Sequence, residues 1–154
     1  SATAILDSAL PERAPFPGLF EKLEELIGSL GKPGWHVGYI RWELDLLTEL
    51  GFGLDLTECA ATGSAQDLVY VSPRTGRAVS AGAGRQYHDR LLTLPGFLRG
   101  EIDADTSGVF LCEGLALTGY FLGRHVMGDT RHGLPAARER LAGSLRRTLV
   151  TEND

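Results

Sequence analysis

A mainly α-helical bundle with one small β-hairpin set into it is the fold class this sequence predicts, and three observations predict it. Apolar residues recur every three or four positions through four long segments, the spacing that gathers them on one face of a helix. Around residues 67–80 the pattern changes to alternation about a Pro/Gly turn, which is the period of paired strands. The chain has 154 residues, enough for one domain that buries roughly 68–70% of its unfolded surface and short for two. Residues 1–154 are therefore expected to form a single domain, with the hairpin inserted at about 58–84.

Pro17 opens the first long segment, in which Leu19, Phe20, Leu23, Leu26, Ile27 and Leu30 fall at helical spacing before Gly31 closes it. After GKPG, the stretch WHVGYIRWELDLLTELGFG puts Val37, Ile40, Leu44, Leu47 and Leu50 on one stripe, flanked by Trp42 and Phe52, and reads as the central helix. LVYVS, PRTG and GRAVS then read as strand, turn and strand. Two strands are too few to stand alone, so they must pack on the helices, with Val69, Val71 and Val79 as contacts. Short helical pieces are expected around Tyr87–Leu92 and Pro95–Leu98. Thr106 or Ser107 caps VFLCEGLALTGYFLGRHVM, apolar around most of its circumference and so expected to be buried. Pro135 starts a last helix with Ala137, Leu141, Leu145 and Leu149 inward and Arg138, Arg140, Arg146 and Arg147 outside that stripe.

With 43% hydrophobic and 23% charged residues, the composition is that of a soluble globular protein. No run of ~18 apolar residues is available to span a bilayer, and SATAILDSALPER lacks the basic and apolar regions of a signal peptide, so a cytoplasmic protein with no membrane partner is expected. Cys59 and Cys112 then read as two reduced thiols. The net charge of −5 is unevenly spread. Residues 1–67 hold eleven acids against four bases, a balance of −7, whereas residues 71–99 hold five arginines against Asp89, a balance of +4. Residues 124–150 hold six arginines against Asp129 and Glu139, again +4. Thirteen of the fifteen basic residues are arginine, whose rigid fork of donors suits phosphate and carboxylate.

Catalytic and metal motifs are weak. DADTSG places Asp103, Asp105 and Ser107 at calcium-loop positions, but Gly114 stands where the bidentate glutamate belongs. Cys112 lies in an apolar run, which predicts an inert thiol with a raised pKa. His125 and His132 lack a third ligand, His36 and His88 lack triad partners, and no phosphate-binding loop is present. No enzyme activity and no cofactor are expected.

The motif order RWELDLLTELGFGLDLTECAATG, VSPRTGRAVS and LTLPGFLRG resembles the carboxy-terminal part of the RecO family of bacterial DNA repair and recombination mediators, over nearly the whole chain. In zinc-bearing relatives a CxxC after the leucine-rich helix and another after the hairpin hold the metal. Those positions here are Cys59, Thr62, Ser80 and Ala83, so the resemblance is to a zinc-free branch with a degenerate zinc-finger-like module held by packing. It implies a nonenzymatic role: binding single- and double-stranded DNA, assisting annealing, contacting RecR, and docking the acidic tail of single-stranded DNA-binding protein so that RecA can replace it. The family's amino-terminal OB-fold barrel has no counterpart before residue 1, which leaves a scaffold that binds nothing by itself as the alternative. Arg74, Arg77, Arg85 and Arg90 are the expected DNA-contacting residues, and Arg41 and Arg124 the expected cationic rim of a peptide pocket.

Overall fold

The computed structural model describes residues 1–9, 16–101, 106–128 and 133–152. Its helices are α1 (Ala2–Ala9), α2 (Pro17–Ser29), α3 (Trp35–Glu49), the single turn α4 (Ala81–Gly84), α5 (Gly108–His125) and α6 (Ala136–Glu152). Strands β1 (Leu68–Val71), β2 (Ala78–Ser80) and β3 (Leu92–Thr93) form an antiparallel sheet in the order β2-β1-β3. Helix α3 is central, packed against α2 on one side and α5 on the other, while α6 packs on α5 and α1. No helix among the described residues is long and apolar enough to cross a membrane.

The hydrophobic stripes explain most of this arrangement. Ile40, Leu46 and Leu47 of α3 have no measurable exposure, and Trp42 only 2%, because α3 is covered from two sides. Its end is a Schellman turn: Gly51, at φ +88°, donates to Thr48 O and Phe52 donates to Leu47 O. On α5, Leu111, Leu115, Leu117, Phe121 and Leu122 are buried, while Val109 and Tyr120 face out. Gly114 lets α3 and α5 approach closely, since a Cβ there would lie 2.9 Å from the Phe97 ring and 3.2 Å from Ile40. Ser107 stands at the N-cap position of α5.

Several expectations are corrected. The sheet has a third strand, and residues 85–90 and 96–99 are 3₁₀ turns on either side of it. Val69 is 36% exposed and is not a packing contact: Leu68 faces Ser80 but Tyr70 faces Val79, so Val69 is the extra residue of a bulge. Val71 and Val79 are buried as expected. On α2 only Leu19 and Leu26 are buried, whereas Phe20, Ile27 and Leu30 are about half exposed. The inward face of α6 includes Arg138, only 3% exposed, together with Ala142. Arg138 turns inward because Glu43 of α3 awaits it: Nε and Nη2 donate to the two carboxylate oxygens at 2.7 and 2.9 Å. Nη2 also donates to Leu115 O at 2.8 Å, and Thr118 Oγ1 donates to Glu43 at 2.5 Å. Asp103, Asp105 and His132 lie outside the described residues, as does the side chain of Leu149.

Candidate functional site

The β1–β2 turn, residues 72–77, is shaped by its own sequence. Gly76 at φ +68° and Arg77 close it through bonds from Gly76 N–H to Ser72 O and from Ser72 N–H to Arg77 O, each 2.9 Å. Gly76 also permits Leu54 to lie against the turn, 3.1 Å from where a Cβ would stand. Arg124, in the last turn of α5, donates to Pro73 O and so pins the hairpin tip beside the end of that helix. Arg74 is exposed at the tip.

Next to Arg74 lies a notch of about 230 Å³ between the tip, the α3 Schellman turn and the end of α5. Three rings run through it nearly parallel. Phe52 stacks on His125 with centroids 4.5 Å apart and planes 6° from parallel, and His125 lies 6.1 Å and 11° from Phe121. Phe121 is buried, whereas Phe52 keeps 40% of its surface exposed.

The other expected contact residues are more dispersed. Arg77 is partly neutralised by Asp55 at 3.9 Å and Glu58 at 3.8 Å, pairs exposed enough to be weak. Arg85 and Arg90 are exposed at the two ends of one 3₁₀ turn. Arg41 donates to Phe97 O at 2.8 Å and borders a hollow of about 370 Å³ with Lys22 and Asp45, which pair with each other at 3.1 Å. Arg124 does not line that hollow, so Arg41 and Arg124 do not form the rim of one pocket. An apolar groove of about 450 Å³, which shares Leu26 with the Arg41 hollow, is lined among the described residues by Leu26, Ile27, Leu30, Tyr39 and Leu141, with Arg140 beside them.

The four positions that carry zinc ligands in the resembling family do converge. Ser80 N–H donates to Cys59 Sγ at 3.3 Å, Ser80 Oγ lies 3.5 Å from Sγ, and Ala83 N–H donates to Ser80 Oγ at 3.3 Å. Burial pushes the Cys59 thiol up, but the hydroxyls of Ser80 and Thr62 and the N–H groups of Ser80 and Ala61 outweigh it and bring it down to about 6. One thiolate, two hydroxyls and a methyl do not fit zinc. Among the described residues no group of three or more His, Cys, Asp or Glu is placed to hold a metal ion. Hydrogen bonds clasp the module instead, including Ala60 N–H to Ala78 O at 2.8 Å and Ala81 N–H to Asp67 O at 2.8 Å, so packing is not its sole restraint. Cys112, only half buried, is pushed up by burial, in the expected direction.

The family model described as the recombination protein O C terminal matches residues 1–133. The chain belongs to that family. Its curated RecO relatives include "DNA repair protein RecO" of Jannaschia sp. (strain CCS1), 47% identical over 97% of this chain and 61% of that protein. The proteins of the same name from Rhodospirillum centenum and Caulobacter vibrioides (strain NA1000 / CB15N) are 49% and 52% identical over 98% and 90% of this chain, and 60% and 57% of their own lengths. The chain thus spans about three fifths of the RecO relatives it matches.

The sequence pointed to the tip arginines of this RecO C-terminal domain, but not to the ring stack. His125 drew notice only as a metal-ligand candidate, and Phe52 only as a flank of the α3 stripe. An aromatic set between two glycines just past a helix end, as in LGFG, was the available signal.

Proposed function

We propose that this chain is the helical part of a RecO-type DNA repair mediator, a nonenzymatic module that binds DNA and the acidic tail of single-stranded DNA-binding protein, helps complementary strands anneal, assists RecA loading and contacts RecR. The observation that carries this reading is membership of the RecO C-terminal family, with relatives named for DNA repair at about 50% identity along nearly the whole chain. The exposed Arg74, Arg85 and Arg90, within one 17-residue stretch that includes β2 of the small sheet, support phosphate binding without base readout. For the tail, the groove between α2 and α6 is the better-shaped receptor, because it is apolar and carries Arg140 at its edge. Arg41 and Arg124, the rim expected from the sequence, do not line this groove and instead hold loops in place through Phe97 O and Pro73 O.

Titrating a fluorescent tail peptide with the protein and following anisotropy tests this. Saturable binding that is lost for a peptide lacking its terminal aromatic, and lost again for Ile27→Glu, is expected. Ile27 is 57% exposed, so its replacement leaves the fold intact. No saturation at high protein concentration would favour a scaffold that binds no tail.

A further inference from the structure

The DNA-binding reading treats the tip arginines as a charged surface and gives the neighbouring notch no task. We propose that the notch is a stacking site for one unpaired base of a single strand, whose base lies on Phe52 while Arg74 takes an adjoining phosphate. This rests on the DNA-binding reading and assigns it a residue-level site.

Four observations converge. First, Phe52 keeps 40% of its surface exposed, and its backbone is fixed by the Schellman turn through its own N–H to Leu47 O and that of Gly51 to Thr48 O. Second, Phe52 is not a loose side chain: His125 lies against it at 4.5 Å and Phe121 continues the stack, so a base would join an existing run of parallel rings. Offset stacking at such spacings is what aromatic platforms for single strands supply, and every base has a face to offer. Third, the residues lining the notch include Arg74 and no carboxylate, although acids outnumber bases in the chain as a whole. Fourth, the notch at about 230 Å³ is smaller than pockets for drug-sized ligands, which suits one flat base better than a peptide.

The Arg124 bond to Pro73 O gives the arrangement its register. It ties the tip to the last turn of α5, the turn that also carries His125, so the phosphate-binding arginine and the stacking ring are held to one another. Arg124 is a positioning residue in this account. Double-stranded DNA, with its bases already stacked on one another, has no base to place on Phe52, so the notch contributes to single-strand binding alone.

The test measures binding of oligo-dT and of an abasic oligomer of the same length and charge, by anisotropy at low salt, for the unaltered chain, Phe52→Leu and Arg74→Ala. Phe52→Leu retains apolar bulk but has no π-face. The unaltered chain is expected to bind oligo-dT about tenfold more tightly than the abasic strand. Phe52→Leu is expected to erase that difference and leave abasic binding unchanged, and Arg74→Ala to weaken both. The His125 ring-proton resonances should shift on adding oligo-dT and not on adding the abasic strand. Equal binding of the two oligomers by the unaltered chain overturns the stacking site while sparing phosphate binding. Failure to bind either oligomer overturns both.

Discussion

Glu43 brings a carboxylate to a place with no measurable exposure, where Arg138 and Thr118 take up its oxygens. Such a pair adds little over a well-packed apolar replacement, because removing two charges from water offsets their attraction, but breaking it leaves a naked buried charge. Glu43→Ala or Arg138→Ala is therefore expected to cost about 3–5 kcal/mol in urea unfolding, and Glu43→Leu with Arg138→Met together much less than the sum. A single-residue change costing under 1 kcal/mol would contradict the buried pair. Cys59 gives a second residue-scale expectation. Its thiol titrates at about 6 in the fold, below the roughly 8.5 of an unfolded cysteine. A lowered pKa stabilises the fold fully above the unfolded value, and that contribution is lost as pH falls through the folded one. The stability advantage of the unaltered chain over Cys59→Ala should accordingly grow from pH 6 to pH 8.5, and a difference independent of pH would refute it.

At the scale of elements, the close approach of α3 and α5 depends on Gly114, where an added methyl would meet Phe97 and Ile40. Gly114→Ala should cost about 1–3 kcal/mol by overpacking despite alanine's better helix propensity, which thermal unfolding can check. The long helices were legible because each repeats its apolar residues at helical spacing over three or more turns. Helix α1 was not: eight residues are too few to hold a helix unaided, and it depends on Ile5 and Leu6 being covered by the rest of the chain. Strand β3 is two residues long and exists only because β1 offers it an edge. The inward turn of Arg138 was hidden for a related reason, since an arginine reads as surface until its partner, 95 positions away, is placed beside it. The hairpin and its turn were legible from Pro73 and Gly76, whereas the bulge at Val69 leaves no mark in composition.

At the scale of the molecule, an acidic first half and an arginine-bearing middle make one polar object. Net charge −5 repels DNA at long range, so the DNA binding proposed above is local and rests on the segment from Arg74 to Arg90. These arginines stood out in the sequence as a charge imbalance; the structure sets Arg74 in the β1–β2 turn and Arg85 and Arg90 at the two ends of the 3₁₀ turn before β3. Their neighbours did not stand out, because Phe52 and His125 meet only when α3 and α5 pack. The most direct measurement for the central claim is the salt dependence of single-stranded DNA binding by this chain and by an Arg74→Ala, Arg85→Ala, Arg90→Ala variant. Neutralising three phosphates predicts a contribution of about −2 to the slope of log K against log salt, so the variant's slope should be shallower by that amount. Binding that ignores salt, or a slope unchanged by the three substitutions, would contradict the account.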